Sequence, residues 1–507
     1  MTTITQDMSA VQQLMHHLPA LIIVLPLMAA PVCVILRHRI ATWSITTIIS
    51  FLCLVISSLL LWSVKDGTVI HYHLGGWSAP SGIEYYIDIT NALILTLVAG
   101  ISTVVSVYSL PTVDQEIPRE KHYLFYAGWL LCLTGLLGIS ITGDAFNVFV
   151  FLEISSLSTY LLIALGRERP HSFMASFRYL IMGSVGASFI LLGIGFLYAA
   201  TGTLNMQDLS VRIPEVQSSR TVVVAFGFIT VGLLIKTAMF PVHNWLPNAY
   251  QYSPSAVSSF LAGTATKVSL YVLIRFMFHI FPPDYSFGQM LLTNVLMPLA
   301  VIGFIVMSVV ALFQTDLRRM LAYSSIAQIG YIIAGIAMTT QSGLSAAIIH
   351  IVNHGLIKSA LFMATGCIIY RVGSAHIHSI RQLVSSMPIT VMAFVVGGIS
   401  LIGMPLTAGF ISKWNLISAA LGKDWWWLAA LILVSSILAV LYIGRIIQIM
   451  CFTPQPTGTK NTLQEAPPLM WISTWVMLVA TLYLGMNSED FVSLANEAAK
   501  QILGGMQ

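Results

Sequence analysis

Long apolar runs separated by short polar intervals repeat from one end of the 507-residue chain to the other. A bilayer span needs about 20 mainly apolar residues. Runs of that length predict helices near 18–36, 43–64, 87–110, 123–142, 144–165, 172–200, 221–245, 254–280, 289–313, 320–338, 342–370, 388–418, 425–451 and 470–486. The expected fold is therefore an all-α integral membrane protein with about 14 transmembrane helices and both termini on one side. The stretch before Leu18 has no Lys or Arg, so it lacks the positive start of a cleaved signal peptide.

Two runs are interrupted by a deep proline. Lys236-Thr-Ala-Met-Phe-Pro241 breaks the seventh span, and Gly403-Met-Pro405 breaks the twelfth. Proline removes a backbone donor and clashes with the carbonyl four residues back. Broken helices persist in a membrane only where the freed groups are buried in protein or line a wet cavity. The breaks lie five spans apart, in corresponding positions of two candidate repeats, and an odd offset inverts the second. Paired broken helices in inverted repeats point to an ion site near the midplane; the alternative is two ordinary kinks. The expected organisation is helices 1–3 over 1–122, a first five-helix repeat (spans 4–8) over 123–280, a second (spans 9–13) over 289–451, and helix 14 with a short tail over 452–507.

Composition narrows the class further. Hydrophobic residues make up 57% and charged residues 8% of the chain, and mean hydropathy is +0.85; soluble domains carry roughly 25% charged residues. The net charge of +4 is scattered, which leaves no nucleic-acid footprint. The five cysteines (Cys33, Cys53, Cys132, Cys367, Cys451) fall in or beside apolar runs without a CxxC, so neither a metal site nor a disulfide is expected. One set of alternate loops holds Arg37, Arg39, Arg119, Lys121, Arg167, Arg169, Arg318, Arg319, Arg371, Arg381, Arg445 and Lys460. The other set, with both termini, holds only Lys65, Arg212, Arg220, Lys423 and Lys500. The positive-inside rule then puts both termini outside, on the periplasmic face of a cell (inner) membrane. The segment around Leu246–Pro254 reads as a cytoplasmic loop, yet carries no charge.

Against this background, Glu153, Lys236, Lys267, His350, His354, Lys358 and Lys413 stand inside apolar runs. A charge at the bilayer centre costs about 2.5–3.5 kcal/mol or more, and such residues are functional candidates by default. Glu153 and Lys236 are matched in depth. As a pair both stay ionised; drawn apart, each is driven toward its neutral form. That describes either a switch or a static ion pair. His350, His354 and Lys358 recur at i, i+4 and i+8 on one helix face, a spacing that suits proton hopping through water. A zinc site on the two histidines is disfavoured, because Ile351-Val-Asn353 supplies no glutamate as HExxH does. Arg275 and Arg178 lie nearer helix ends and are expected to snorkel. His376 and His378 read as solvated loop residues, and Asp88 and Asp144 as span-end residues.

Several motifs resemble one family. They are Phe-Leu-Glu153, the segment Lys236-Thr-Ala-Met-Phe-Pro-Val-His-Asn-Trp-Leu-Pro247, Asp316-Leu-Arg-Arg-Met-Leu-Ala-Tyr-Ser-Ser-Ile-Ala-Gln-Ile-Gly-Tyr331, the run from His350 to Gly366, and Gly-Phe-Ile-Ser-Lys413-Trp. The chain resembles the antiporter-like subunits of respiratory complex I, membrane-bound hydrogenases and Mrp-type cation/proton antiporters, and its length is similar to the D-type Mrp subunit. The resemblance implies fourteen helices, with two inverted five-helix repeats and broken helices 7 and 12. It also implies a Glu153–Lys236 pair, a central relay through Lys267, His350, His354 and Lys358, and an end of the relay at Lys413. Arg318-Arg319 replaces the Lys-Arg common in that loop.

The function expected is that of a proton-translocating subunit in a multisubunit Na+ or K+/proton antiporter. The alternative is a proton-pumping subunit of a complex I-like NADH-quinone oxidoreductase or hydrogenase; coupling to inorganic-carbon uptake is a third. The sequence has no nucleotide fingerprint, iron–sulfur cysteines or haem motif, so no cofactor and no redox centre of its own are expected. Expected partners are other membrane subunits, protons, a monovalent cation and the lipid bilayer.

Overall fold

The computed structural model describes residues 10–166, 169–282, 285–454 and 464–504; Arg167 and Lys460, counted above, lie outside the described residues. The first half holds α1 (Ala10–Leu36), α2 (Arg39–Val64), α3 (Ile89–Glu116), α4 (His122–Ile141), α5 (Ala145–Ala164), α6 (Arg169–Thr201), α7 (Met206–Val216), α8 (Arg220–Thr237), α9 (Trp245–Tyr252), α10 (Ser255–Gly263) and α11 (Ala265–Arg275). The second holds α12 (Ser286–Leu291), α13 (Met297–Leu312), α14 (Leu317–Ala337), α15 (Gln341–Val372), α16 (Pro388–Ile402), α17 (Ala408–Gly422), α18 (Trp426–Phe452), α19 (Pro468–Met486) and α20 (Glu489–Gly504). Strands β1 (Ile70–His73) and β2 (Glu84–Ile87) pair antiparallel, with Ile70 opposite Ile87.

Among the described residues, thirteen helical segments are long and apolar enough to cross a membrane. The remaining span read from the sequence, 388–418, is the pair α16 and α17. The segments running through α10–α11, α14 and α15 form the interior. In each, 94% of the most apolar window is buried, against 33% for α2. A two-faced apolar helix is what a central membrane position demands, and an outer helix needs no such cover.

Both proline breaks exist, and each has a local cause. Helix α8 stops at Thr237 because Ala238 turns left-handed at φ 55°, and Pro241 follows with no N–H to give. The chain resumes as α9. This corrects the sequence reading, which carried the seventh span to 245 and placed a loop at 246–254. Leu246 and Ala249 are fully buried, so the segment lacks charge because it packs inside the protein. The Ile235 carbonyl accepts the Ala238 N–H at 3.1 Å and also Trp245 Nε1 at 3.0 Å, which ties α9 to the end of α8. Helix α16 ends at Gly403, whose φ of 90° suits glycine, and α17 begins beyond Pro405.

A third break carries no proline. Thr264 separates α10 from α11, where α10 crosses α15 at a pair of glycines. A Cβ on Gly355 would stand 2.9 Å from the Gly263 carbonyl, and one on Gly263 3.1 Å from the Gly355 carbonyl. Small residues are what allow such a close crossing.

Candidate proton pathway

Lys236 occupies the last turn of α8, where a cation faces the negative end of the helix dipole. Its Nζ lies 3.6 Å from Glu153 Oε1 on α5 and donates to Ser156 Oγ at 2.8 Å. The lysine is buried, whereas the Glu153 side chain is 28% exposed. Glu153 shares its helix face with exposed Leu157 and Leu161, so the carboxylate reaches the lateral surface of the bundle.

Lys267 is fully buried just past the break at Thr264. Its amine donates to the Ala262 carbonyl, one of the acceptors that the broken helix leaves open, and to Thr266 Oγ1 at 3.3 Å. Across the glycine crossing stands the face of α15. Lys267 and Lys358 both lie within electrostatic reach of His354.

The three α15 groups fall in one row, each with a different set of partners. The Gln328 amide oxygen accepts from His350 Nε2 at 2.9 Å, and Nδ1 faces the Ser412 hydroxyl at 2.8 Å. The His354 ring lies nearly parallel to that of His350, with centroids 5.9 Å apart. Both His354 nitrogens are buried without a protein partner, an arrangement that calls for water. Lys358 donates to the Leu321 carbonyl at 3.0 Å and to Ser324 Oγ.

Lys413 repeats the device seen at Lys267. From α17 it reaches back to the end of α16, donating to the Ile402 and Leu401 carbonyls at 2.8 and 3.2 Å and to Ser436 Oγ at 3.1 Å. Its amine also sits 5.4 Å from the centre of the Tyr331 ring, which in turn lies 5.9 Å from the His350 ring. At the breaks by Lys267 and Lys413 an amine thus donates to freed backbone, whereas the Lys236 amine turns to Glu153 and Ser156 on α5. The prolines themselves, Pro241 and Pro405, are exposed at the side of the bundle.

Some residues stand where the sequence did not put them. Arg275, read as snorkelling, is 3% exposed and forms an ion pair with buried Asp88, the N-cap of α3. Arg318, counted as a loop charge, is also buried. It donates to the Gln251 and Ser253 carbonyls at 3.1 and 2.9 Å and to Ser255 Oγ, so it holds the end of α9. Glu116 accepts from Ser255 N at 2.7 Å on the same hydroxyl-bearing residue. Ser156, Gln328, Ser412 and Ser436, which orient the titratable groups, were not singled out. Ser156 follows Glu153 by three residues and Gln328 lies within a quoted motif, so both were within reach of helical-face reasoning. Arg178, His376 and His378 are exposed, and Asp144 caps α5 through Asn147 N at 2.7 Å.

Comparison with known proteins places this arrangement in context. Residues 142–439 match the family described as NADH:quinone oxidoreductase/Mrp antiporter, TM. The chain is 38% identical to the N-type subunit of the NADH-quinone oxidoreductase of Desulforudis audaxviator, over 94% of this chain and 97% of that protein. It is 30% identical to the D-type subunit of the Na(+)/H(+) antiporter of Bacillus subtilis, over 96% of this chain and 98% of that protein. Among solved structures, a chain of the membrane-bound sulfane sulfur reductase, an archaeal respiratory membrane complex, superimposes with a TM-score of 0.88 at 31% identity, covering 96% of this chain and 97% of that one.

Proposed function

Because the chain belongs to the NADH:quinone oxidoreductase/Mrp antiporter transmembrane family, we propose that it is the proton-translocating subunit of a multisubunit Na+ or K+/proton antiporter. One observation carries the reading: Lys236, Lys267, His350, His354, Lys358 and Lys413 are each 0–5% exposed, and the segments bearing Lys267 and the α15 row cross at Gly263 and Gly355. Buried amines and imidazoles of this kind are expensive in a membrane and accept or release protons when their surroundings change.

The proposed sequence runs from Glu153–Lys236 through Lys267 to the α15 row and then to Lys413. Separation of Glu153 from Lys236, by motion at the α8–α9 break or by arrival of a cation, is the switch. One charge crossing 100 mV is worth about 2.3 kcal/mol, enough to drive proton transfer between such sites. The proposed repeats 123–280 and 289–451 each contribute one proline-broken helix and its lysine, with both termini on the outer face. The lateral exposure of Glu153 and of the Met404–Leu406 break supports partner membrane subunits that cover these faces.

The 38% identity to a quinone oxidoreductase subunit favours a second reading, in which redox chemistry on another chain drives the same relay. Everted vesicles containing the whole complex separate the two. Antiport requires that a pulse of Na+ or K+ dissipate an imposed pH gradient without any electron donor. Acidification that follows electron donor alone, with no response to either cation, would establish the redox reading instead.

A further inference from the structure

Helix α11 carries a second row of polar groups that the pathway above does not use. Lys267, Tyr271, Arg275 and His279 recur every four residues and are held on one side of the helical segment running from α11 to Ile280. They lead from the middle of the bundle toward the end that bears the β-hairpin. Arg275 Nε donates to the Tyr271 hydroxyl at 2.9 Å, and the guanidinium pairs with Asp88. The His279 ring lies 5.5 Å from Tyr86, and Tyr86 lies 5.4 Å from His71.

The row ends on a carboxylate. Glu84 of β2 is 3% exposed, accepts from Asn205 Nδ2 at 2.9 Å and is hydrogen-bonded to His71, whose side chain is 48% exposed. Glu84 and Arg275 both line a cavity of about 10 Å³, together with Tyr86, Gln207, Tyr271 and His279 among others. That is about the room one water molecule needs. Arg275 Nη1 is buried with no protein partner. A purely structural staple has no need to leave a charged donor unpaired beside such a cavity.

We propose that α11 carries a branch of the proton pathway from Lys267 to the hairpin end, through Tyr271 and the Arg275-lined cavity to Glu84 and His71. The branch rests on the proton-transport reading above. In one passage a proton leaves the Lys267 ammonium, hydrogen bonds reverse along the row, and a proton leaves the Glu84 carboxyl for His71 or bulk water; nothing is oxidised or reduced. Arg275 does not give up its proton at any accessible pH. It is a positioning residue, anchored by its ion pair with Asp88 and holding the Tyr271 hydroxyl at the wall of the cavity. Glu84 is the proton-binding group at the mouth.

The test uses the assembled complex in everted vesicles, with proton flux read by a pH-sensitive dye and assembly read by copurification of the partner subunits. Glu84→Gln keeps the shape and hydrogen-bonding reach of the side chain but removes proton exchange. Tyr271→Phe removes only a buried hydroxyl. Each is expected to lower flux about a hundredfold or more, the lower side of what a proton-transfer group contributes, with normal copurification, and Glu84→Asp restores part of it. Lys236→Ala is the control for the underlying reading. Loss of flux in Lys236→Ala with wild-type flux in both Glu84→Gln and Tyr271→Phe overturns the branch alone. Wild-type flux in Lys236→Ala overturns the transport reading, and the branch falls with it. Where Glu84→Gln does not assemble, Tyr271→Phe decides between the two.

Discussion

Replacing Lys236 with alanine removes the amine that sits between Glu153 and Ser156, and the size of the effect follows from the geometry. At 3.6 Å, two unit charges interact by about 5 kcal/mol at an effective dielectric constant near 20. That energy is what a motion at the α8–α9 break gains or loses when it opens the pair. Each 1.36 kcal/mol is tenfold in rate, so the pair can modulate proton transfer by about three orders of magnitude. Lys236→Ala deletes a proton-carrying site and should reduce transport to the level of vesicles without the complex. Glu153→Gln keeps the amine but removes the charge that biases it, and transport should fall by up to about a thousandfold. The double variant should be no worse than Lys236→Ala. Breaking a buried ion pair costs about 3–5 kcal/mol, and because Glu153 is 28% exposed the lower end applies, so assembled complex should still be recovered. The assay is cation-dependent dissipation of a pH gradient in everted vesicles, normalised to copurified subunits. Wild-type transport in Lys236→Ala, or full transport in Glu153→Gln, refutes the switch.

Other expectations concern single structural features. In Gly409→Ala the new Cβ would stand 1.7 Å from the Ser400 carbonyl; overpacking of this kind costs about 1–3 kcal/mol, seen as a lower midpoint of thermal unfolding in detergent, with transport lost because α17 carries Lys413. Arg318→Ala frees the Gln251 and Ser253 carbonyls and should make the end of α9 more accessible to hydrogen exchange, without changing exchange in α1 or α2. Asp144, at the start of α5, has its pKa raised from 3.8 by burial, with backbone hydrogen bonds from Asn147 and Phe146 opposing. A raised carboxyl pKa means that its stability contribution is present below the unfolded value and is lost as pH rises through the folded one. Asp144→Asn retains the N-cap, so it should be at least as stable as wild type at pH 7 and show a flatter thermal-stability profile from about pH 4 upward.

What the sequence revealed and what it hid divide along physical lines. Apolar run length marked the spans because lipid imposes that length on a helix. Pro241 and Pro405 marked two breaks, although a missing N–H is not sufficient: Pro26 and Pro31 lie inside the continuous α1, and the breaks also need the left-handed turns at Ala238 and Gly403. The break at Thr264 was hidden because it depends on the contact of α10 with α15 through Gly263 and Gly355, which are far apart in the chain. Helix α9 was hidden because a short buried helix and an uncharged loop have the same composition. The Arg275–Asp88 pair joins residues 187 positions apart, and depth along one helix could not reveal a partner on another. Side chains that orient the relay, such as Ser412 on His350, are ordinary serines until the fold brings them into place.

The central claim is that the titratable groups from Lys236 to Lys413 form one connected, wet path. An experimental map of the assembled complex, at a resolution that resolves ordered water, tests it most directly. Waters and hydroxyls should link Lys236, Lys267, His354, His350 and Lys413 in steps of about 3 Å, with water on the two His354 ring nitrogens. Packed apolar side chains and no water between any two neighbours, in every state of the complex, would contradict it.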